Sequence, residues 1–118
     1  MHVLNHWPDY FRDRNEGLGT TYERFVLHRH FELLNAELGI TSLLECPSFG
    51  MTGVSGINSM WWVSYGIPVT VVDNNQERIE LIRKTWQKVS LHADFIYQPT
   101  YQEPLPFKND AFDMSWNF

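Results

Sequence analysis

The chain has 118 residues, enough for one hydrophobic core and too few for two. Hydrophobic residues make up 43% and charged residues 19%, a globular balance that excludes wholesale disorder. A formal net charge of -5, with nine scattered Lys and Arg, argues against a nucleic-acid surface, and a single cysteine, Cys46, excludes an internal disulfide framework.

Residues 1–19 mix Trp7, Pro8, Tyr10 and Phe11 with polar residues and two glycines, which predicts an irregular arm or lid. They lack the basic-then-apolar order of a signal peptide, and no apolar run in the chain reaches membrane-spanning length, so a cytoplasmic location is the default expectation. Thr20 and Glu23 have capping-box spacing and open a predicted helix whose stripe is Leu27, Phe31, Leu34 and Leu38, ended by Gly39. Tyr22 on this helix is expected to pack. His28 and His30 are two apart and point in different directions, unlike a metal-ligating pair, so no metal site is expected.

Residues 41–46 form a short apolar run suited to a strand buried on both faces, with Cys46 inside it as an apolar filler. Residues 47–53 are a glycine-bearing loop, and 54–65 a helix stopped by Gly66, in which core packing is the role expected for at least one of Trp61 and Trp62. The β-branched run 69–72, ending at Asp73, is the second strand. Asn74, with Glu77 three residues on, is the expected cap of a third helix whose apolar face is Ile79, Ile82, Trp86 and Val89. Residues 95–97 and 112–116 complete four strands. Strands alternating with helices, joined by connections too long for hairpins, predict an α/β fold with a doubly wound parallel sheet in the order 3-2-1-4.

In such a sheet a ligand lies beyond the carboxyl ends of the strands, where the strand order reverses. Two strand ends there carry chemistry. The run from Glu45 through Gly50 to Gly53 lets backbone approach a ligand, and Asp73, twenty residues after Gly53, has the position of an acid that accepts hydrogen bonds from both hydroxyls of a ribose.

The stretch Leu105, Pro106, Phe107, a polar turn, then Ala111, Phe112, Asp113, Met114, Ser115 and Trp116 resembles a characteristic segment of class I S-adenosylmethionine-dependent methyltransferases of the methyltransferase-11 type. Leu43, Leu44 and Glu45 before the glycine turn, and 69–73, add two further motifs in the family's order over residues 20–118. The resemblance implies a Rossmann-like domain over those residues and S-adenosylmethionine as cofactor. It implies a cofactor-binding set of Glu45, Pro47, Ser48, Phe49, Gly50, Asp73, Asn74, Tyr101 and Asn117. Glu45 would brace the loop around the methionine part, Gly50 would lie against the cofactor, Tyr101 stands where the family has an acid facing the adenine amino group, and Asn117 borders the methionine or the acceptor.

Pro47 and Phe49 replace the family's usual glycines, and the chain stops at the fourth strand, so the sequence reads as the cofactor-binding front portion of the fold, inactive by itself and open to self-association along the fourth strand. The resemblance assigns no catalytic residue and no acceptor. Two other readings share these features: a non-catalytic binding or assembly module, and a fragment of a nicotinamide-dependent dehydrogenase, whose glycine fingerprint Pro47 and Phe49 also disrupt.

Overall fold

The computed structural model describes residues 18–48, 59–88 and 90–116, so most of the predicted arm and of the glycine loop lie outside the described residues, while Leu18 and Gly19, expected in the arm, belong to a helix. The chain divides into two compact units, Met1–Gly39 and Ile40–Phe118.

In the first unit, α1 spans Leu18–Leu38. His28 and Phe31 are buried, with rings stacked 5.8 Å apart, whereas Leu27 and Leu34 are half-buried and Leu38 is exposed. The buried face thus centres on His28 and Phe31, and the predicted stripe fades before the helix ends. Tyr22, expected to pack, is 49% exposed and stacks on Phe25 one turn away, at 6.2 Å. Gly39 closes the helix with φ +61 and donates its N–H to the Asn35 carbonyl at 2.8 Å, a left-handed conformation that glycine adopts without steric penalty. The predicted capping box at Thr20 and Glu23 lies outside the described side chains.

The second unit is an α/β fold built on a four-stranded parallel sheet: β1 (Leu43–Glu45), α2 (Met60–Ser64), β2 (Val69–Asp73), α3 (Gln76–Lys88), β3 (Asp94–Tyr97) and β4 (Met114–Trp116), with strand order β3-β2-β1-β4. This is the predicted order. Every pair is parallel, with Leu43 opposite both Val69 and Met114. The two central strands are buried along their whole length, which is why they are mostly apolar, and the outer two are only partly buried. Among the described residues β4 pairs with β1 alone.

Two corrections concern boundaries. The cap of α3 is Asn75, not Asn74: the Asp73 carboxylate accepts the Asn75 N–H at 2.8 Å, and Asn75 Oδ1 in turn accepts the Arg78 N–H at 3.0 Å, which starts the helix one residue later. Strand β4 begins at Met114 rather than at residue 112. Asp113 is held just before it, donating its N–H to Ser42 Oγ at 3.0 Å and accepting the Thr41 N–H at 2.7 Å and the Thr41 hydroxyl on its carboxylate. These bonds from Thr41 hold the Asp113 carboxyl below the usual range.

The core lies where α3 meets β2 and β3. Ile79, Ile82 and Trp86 are buried, and Trp86 meets Phe95 edge to face at 5.3 Å. Trp61 and Trp62 are both buried, edge to face at 4.9 Å, and Gly66, with φ +76, ends α2. Phe107 and Phe112, the aromatic members of the motif before β4, pack edge to face at 5.0 Å, so that the short polar turn between them is clasped by their rings. Among the described residues no helix is long and apolar enough to cross a membrane.

Candidate functional site

The carboxyl ends of β1, β2 and β4 are tied together by the three residues after β1. Cys46 donates its N–H to the Trp116 carbonyl of β4 at 3.2 Å, and Ser48 donates its N–H to the Val72 carbonyl of β2 at 3.0 Å. The chain therefore passes from one neighbouring strand to the other at the point where strand order reverses. The peptide bond between Cys46 and Pro47 is cis, and Pro47 is half-buried.

Glu45 and Asp73 lie on one face of the sheet, since Glu45 pairs with Val71 and residues two apart on a strand share a face. Both carboxylates are buried, at 2% and 0% exposure. Their surroundings differ. Asp73 Oδ2 accepts the Ser48 hydroxyl, Oδ1 accepts the Asn75 N–H, and Arg78 Nη1 straddles both oxygens at 3.1 and 3.0 Å. Among the described residues, Glu45 Oε1 accepts the Ser59 hydroxyl, at 3.0 Å, and Oε2 has no hydrogen-bond partner. Burial pushes the Glu45 carboxyl up to about 8, against the opposing effect of the Ser59 bond and with a further push from the Asp73 charge. At neutral pH its protonated form prevails.

Ser59, just before α2, also accepts the Trp116 indole N–H at 3.2 Å. A chain of bonds from Trp116 through Ser59 to Glu45 thus braces the start of α2 against β1 and β4. The bracing role expected of Glu45 is carried out on α2; its relation to the loop 49–58 lies outside the described residues.

Cys46 is not inside β1 but follows it, half-buried, with its thiol against the Tyr101 hydroxyl. Burial raises the thiol, and the Tyr101 bond opposes that rise. Tyr101 has an exposed ring, and its hydroxyl meets Cys46 and the backbone of Asn74. Desolvation, the Cys46 thiol and the Asp73 charge together push it up to about 12. A cleft of about 310 Å³ opens beside Cys46, lined by Leu44, Leu105, Ser115 and Trp116 as well.

Of the predicted site residues, Glu45, Pro47, Ser48, Asp73, Asn74 and Tyr101 are gathered at these strand ends; Phe49, Gly50 and Asn117 lie outside the described residues. Sequence reasoning missed Ser59, Arg78 and the indole of Trp116. Arg78 had a local signal, as the first cation after the strand-ending acid, whereas Ser59 and Trp116 are joined to Glu45 only by long-range folding. No family model matches the chain, and no curated protein is significantly similar to it.

Proposed function

We propose that the second unit is a Rossmann-like cofactor-binding domain of a class I S-adenosylmethionine-dependent methyltransferase. The observation that carries this reading is the pair of buried carboxylates, Glu45 and Asp73, on one face at the ends of the two central strands where the order 3-2-1-4 reverses. The order of sequence motifs supports it further, because the Phe107 and Phe112 clasp delivers β4 directly to β1.

The residues fit such a cofactor. Asp73 takes the ribose through its two carboxylate oxygens. Tyr101, with an exposed ring beside Cys46, offers a face on which a purine stacks. Glu45, through Ser59 and Trp116, holds the start of α2. When bound, the cofactor supplies an activated methyl group on a sulfonium; the protein's task is to align it and keep water away. No residue is assigned as a base, and the acceptor is left open.

A second reading, a non-catalytic binding or assembly module, draws on one observation: the Asp73 oxygens are already engaged by Arg78, Ser48 and Asn75. Calorimetric titration with S-adenosylhomocysteine and, separately, with a nicotinamide dinucleotide tests the proposal. Saturable binding of the first alone is expected. Binding of neither favours the module, and preference for the dinucleotide overturns the methyltransferase reading.

A further inference from the structure

We propose that Arg78 is a competing counter-ion on Asp73, which a bound ribose must displace and which therefore sets the affinity of the site. The inference rests on the cofactor reading above and adds to it the residue that opposes binding. A carboxylate offers about four acceptor directions. In Asp73 all of them are taken from within the chain: Oδ1 by the Asn75 N–H at 2.8 Å and Arg78 Nη1 at 3.1 Å, and Oδ2 by the Ser48 hydroxyl and the same Nη1 at 3.0 Å.

A diol needs one acceptor on each oxygen, so something must leave. The Asn75 N–H is backbone, fixed where Asn75 caps α3. Ser48 is fully buried. The Arg78 side chain, 37% exposed, is the one partner with a path to water, on a long stem that lets its charged end swing out. Because its single nitrogen straddles both oxygens, its withdrawal opens one direction on Oδ1 and one on Oδ2 together. Those are the two positions a vicinal diol fills.

This exchange has an unusual signature. The diol is uncharged while Arg78 is a cation, so salt weakens the Arg78 pair more than the ribose contacts. Affinity for S-adenosylhomocysteine should therefore rise with ionic strength. Arg78→Met, which keeps length and removes every donor, should tighten binding by roughly tenfold, the size of one charge-assisted hydrogen bond, and abolish the salt response. Arg78→Lys, which keeps the charge without the planar fork, should give a smaller gain and a partial response.

The test is titration of S-adenosylhomocysteine into the full chain and these variants at low and high salt, with circular dichroism as a check on folding. Tighter binding to Arg78→Met, and parent affinity that climbs with salt, support the exchange. Unchanged or weaker binding to folded Arg78→Met, or parent affinity that falls or stays level with salt, overturns it. Should Arg78→Met fail to fold, Arg78→Lys and the salt series on the parent decide the matter. Asp73→Asn separates the two levels: if it binds as well as the parent, the ribose contact itself is refuted and the exchange with it. If it binds more weakly while Arg78→Met binds no more tightly, the exchange alone is refuted.

Discussion

The ends of β1 and β2 each bury one carboxylate, on the same face of the sheet, and the chain treats them in opposite ways. Asp73 is surrounded by donors: a hydroxyl, a backbone N–H and a guanidinium. Glu45 has, among the described residues, one hydroxyl on one oxygen and nothing on the other, and its carboxyl is pushed up to about 8. Burial is nearly equal for the two, so what separates them is the donors around each. Those of Asp73 come from Ser48 after β1 and from Asn75 and Arg78 at the start of α3, and that of Glu45 is a single serine. One strand end thus holds a carboxylate fully supplied with donors, and the other an acid that serves as a brace.

The largest effect that would break this contrast is at Asp73. Asp73→Ala leaves the buried Ser48 hydroxyl and the Asn75 N–H without their acceptor while Arg78 turns to water, and should cost about 3–5 kcal/mol in denaturant unfolding, roughly the sum for two donors left unpaired at about 1–3 kcal/mol each.

Glu45→Gln sharpens the contrast through pH. The folded carboxyl titrates near 8 and the unfolded one near 4.5, so the folded state holds the extra proton between these values. The Glu45 contribution to stability is fully present below about 4.5 and is lost as pH rises to about 8. Glu45→Gln, which mimics the protonated form, should lack that decline and exceed the parent by about 2–4 kcal/mol above pH 8, as unfolding curves across the range would show. A parallel pH profile in the two proteins would mean that Glu45 is ionised in the fold.

Ser59→Ala removes the middle of the Trp116 to Glu45 chain and should cost about 1–2 kcal/mol. Combined with Glu45→Gln it should prove non-additive, because the two residues share one hydrogen bond. The smallest effect is expected at the rim: Tyr101→Phe leaves the fold intact but removes the bond that opposes the rise of the Cys46 thiol, so alkylation of Cys46 at fixed pH should slow.

Much of this arrangement was legible in the chain because it depends on local pattern. The apolar runs ending at Glu45 and Asp73 fix two central strands, the glycines at 39 and 66 stop two helices, and the 3.6-residue spacing of Ile79, Ile82 and Trp86 marks the face of α3 that reaches the core. The cap of α3 was misread by one residue because Asn74 and Asn75 are adjacent and chemically identical; only the carboxylate of Asp73, folded back on the Asn75 N–H, chooses between them. The brace was not legible. Ser59 lies 14 residues from Glu45 and 57 from Trp116, and a serine before a tryptophan-rich helix carries no sign of either partner. The engagement of Asp73 by Arg78 was hidden for another reason: an acid at a strand end looks the same in sequence whether it faces a ligand or a cation five residues on.

The most direct test of the cofactor site is calorimetric titration of S-adenosylhomocysteine into the chain and into Asp73→Asn, each checked for an intact fold. A ribose held by the two oxygens of Asp73 predicts saturable binding to the parent and a loss of about 1.5–3 kcal/mol in the variant, the worth of hydrogen bonds to a charged group. Equal affinities in the two proteins, or no binding to the parent, would contradict it.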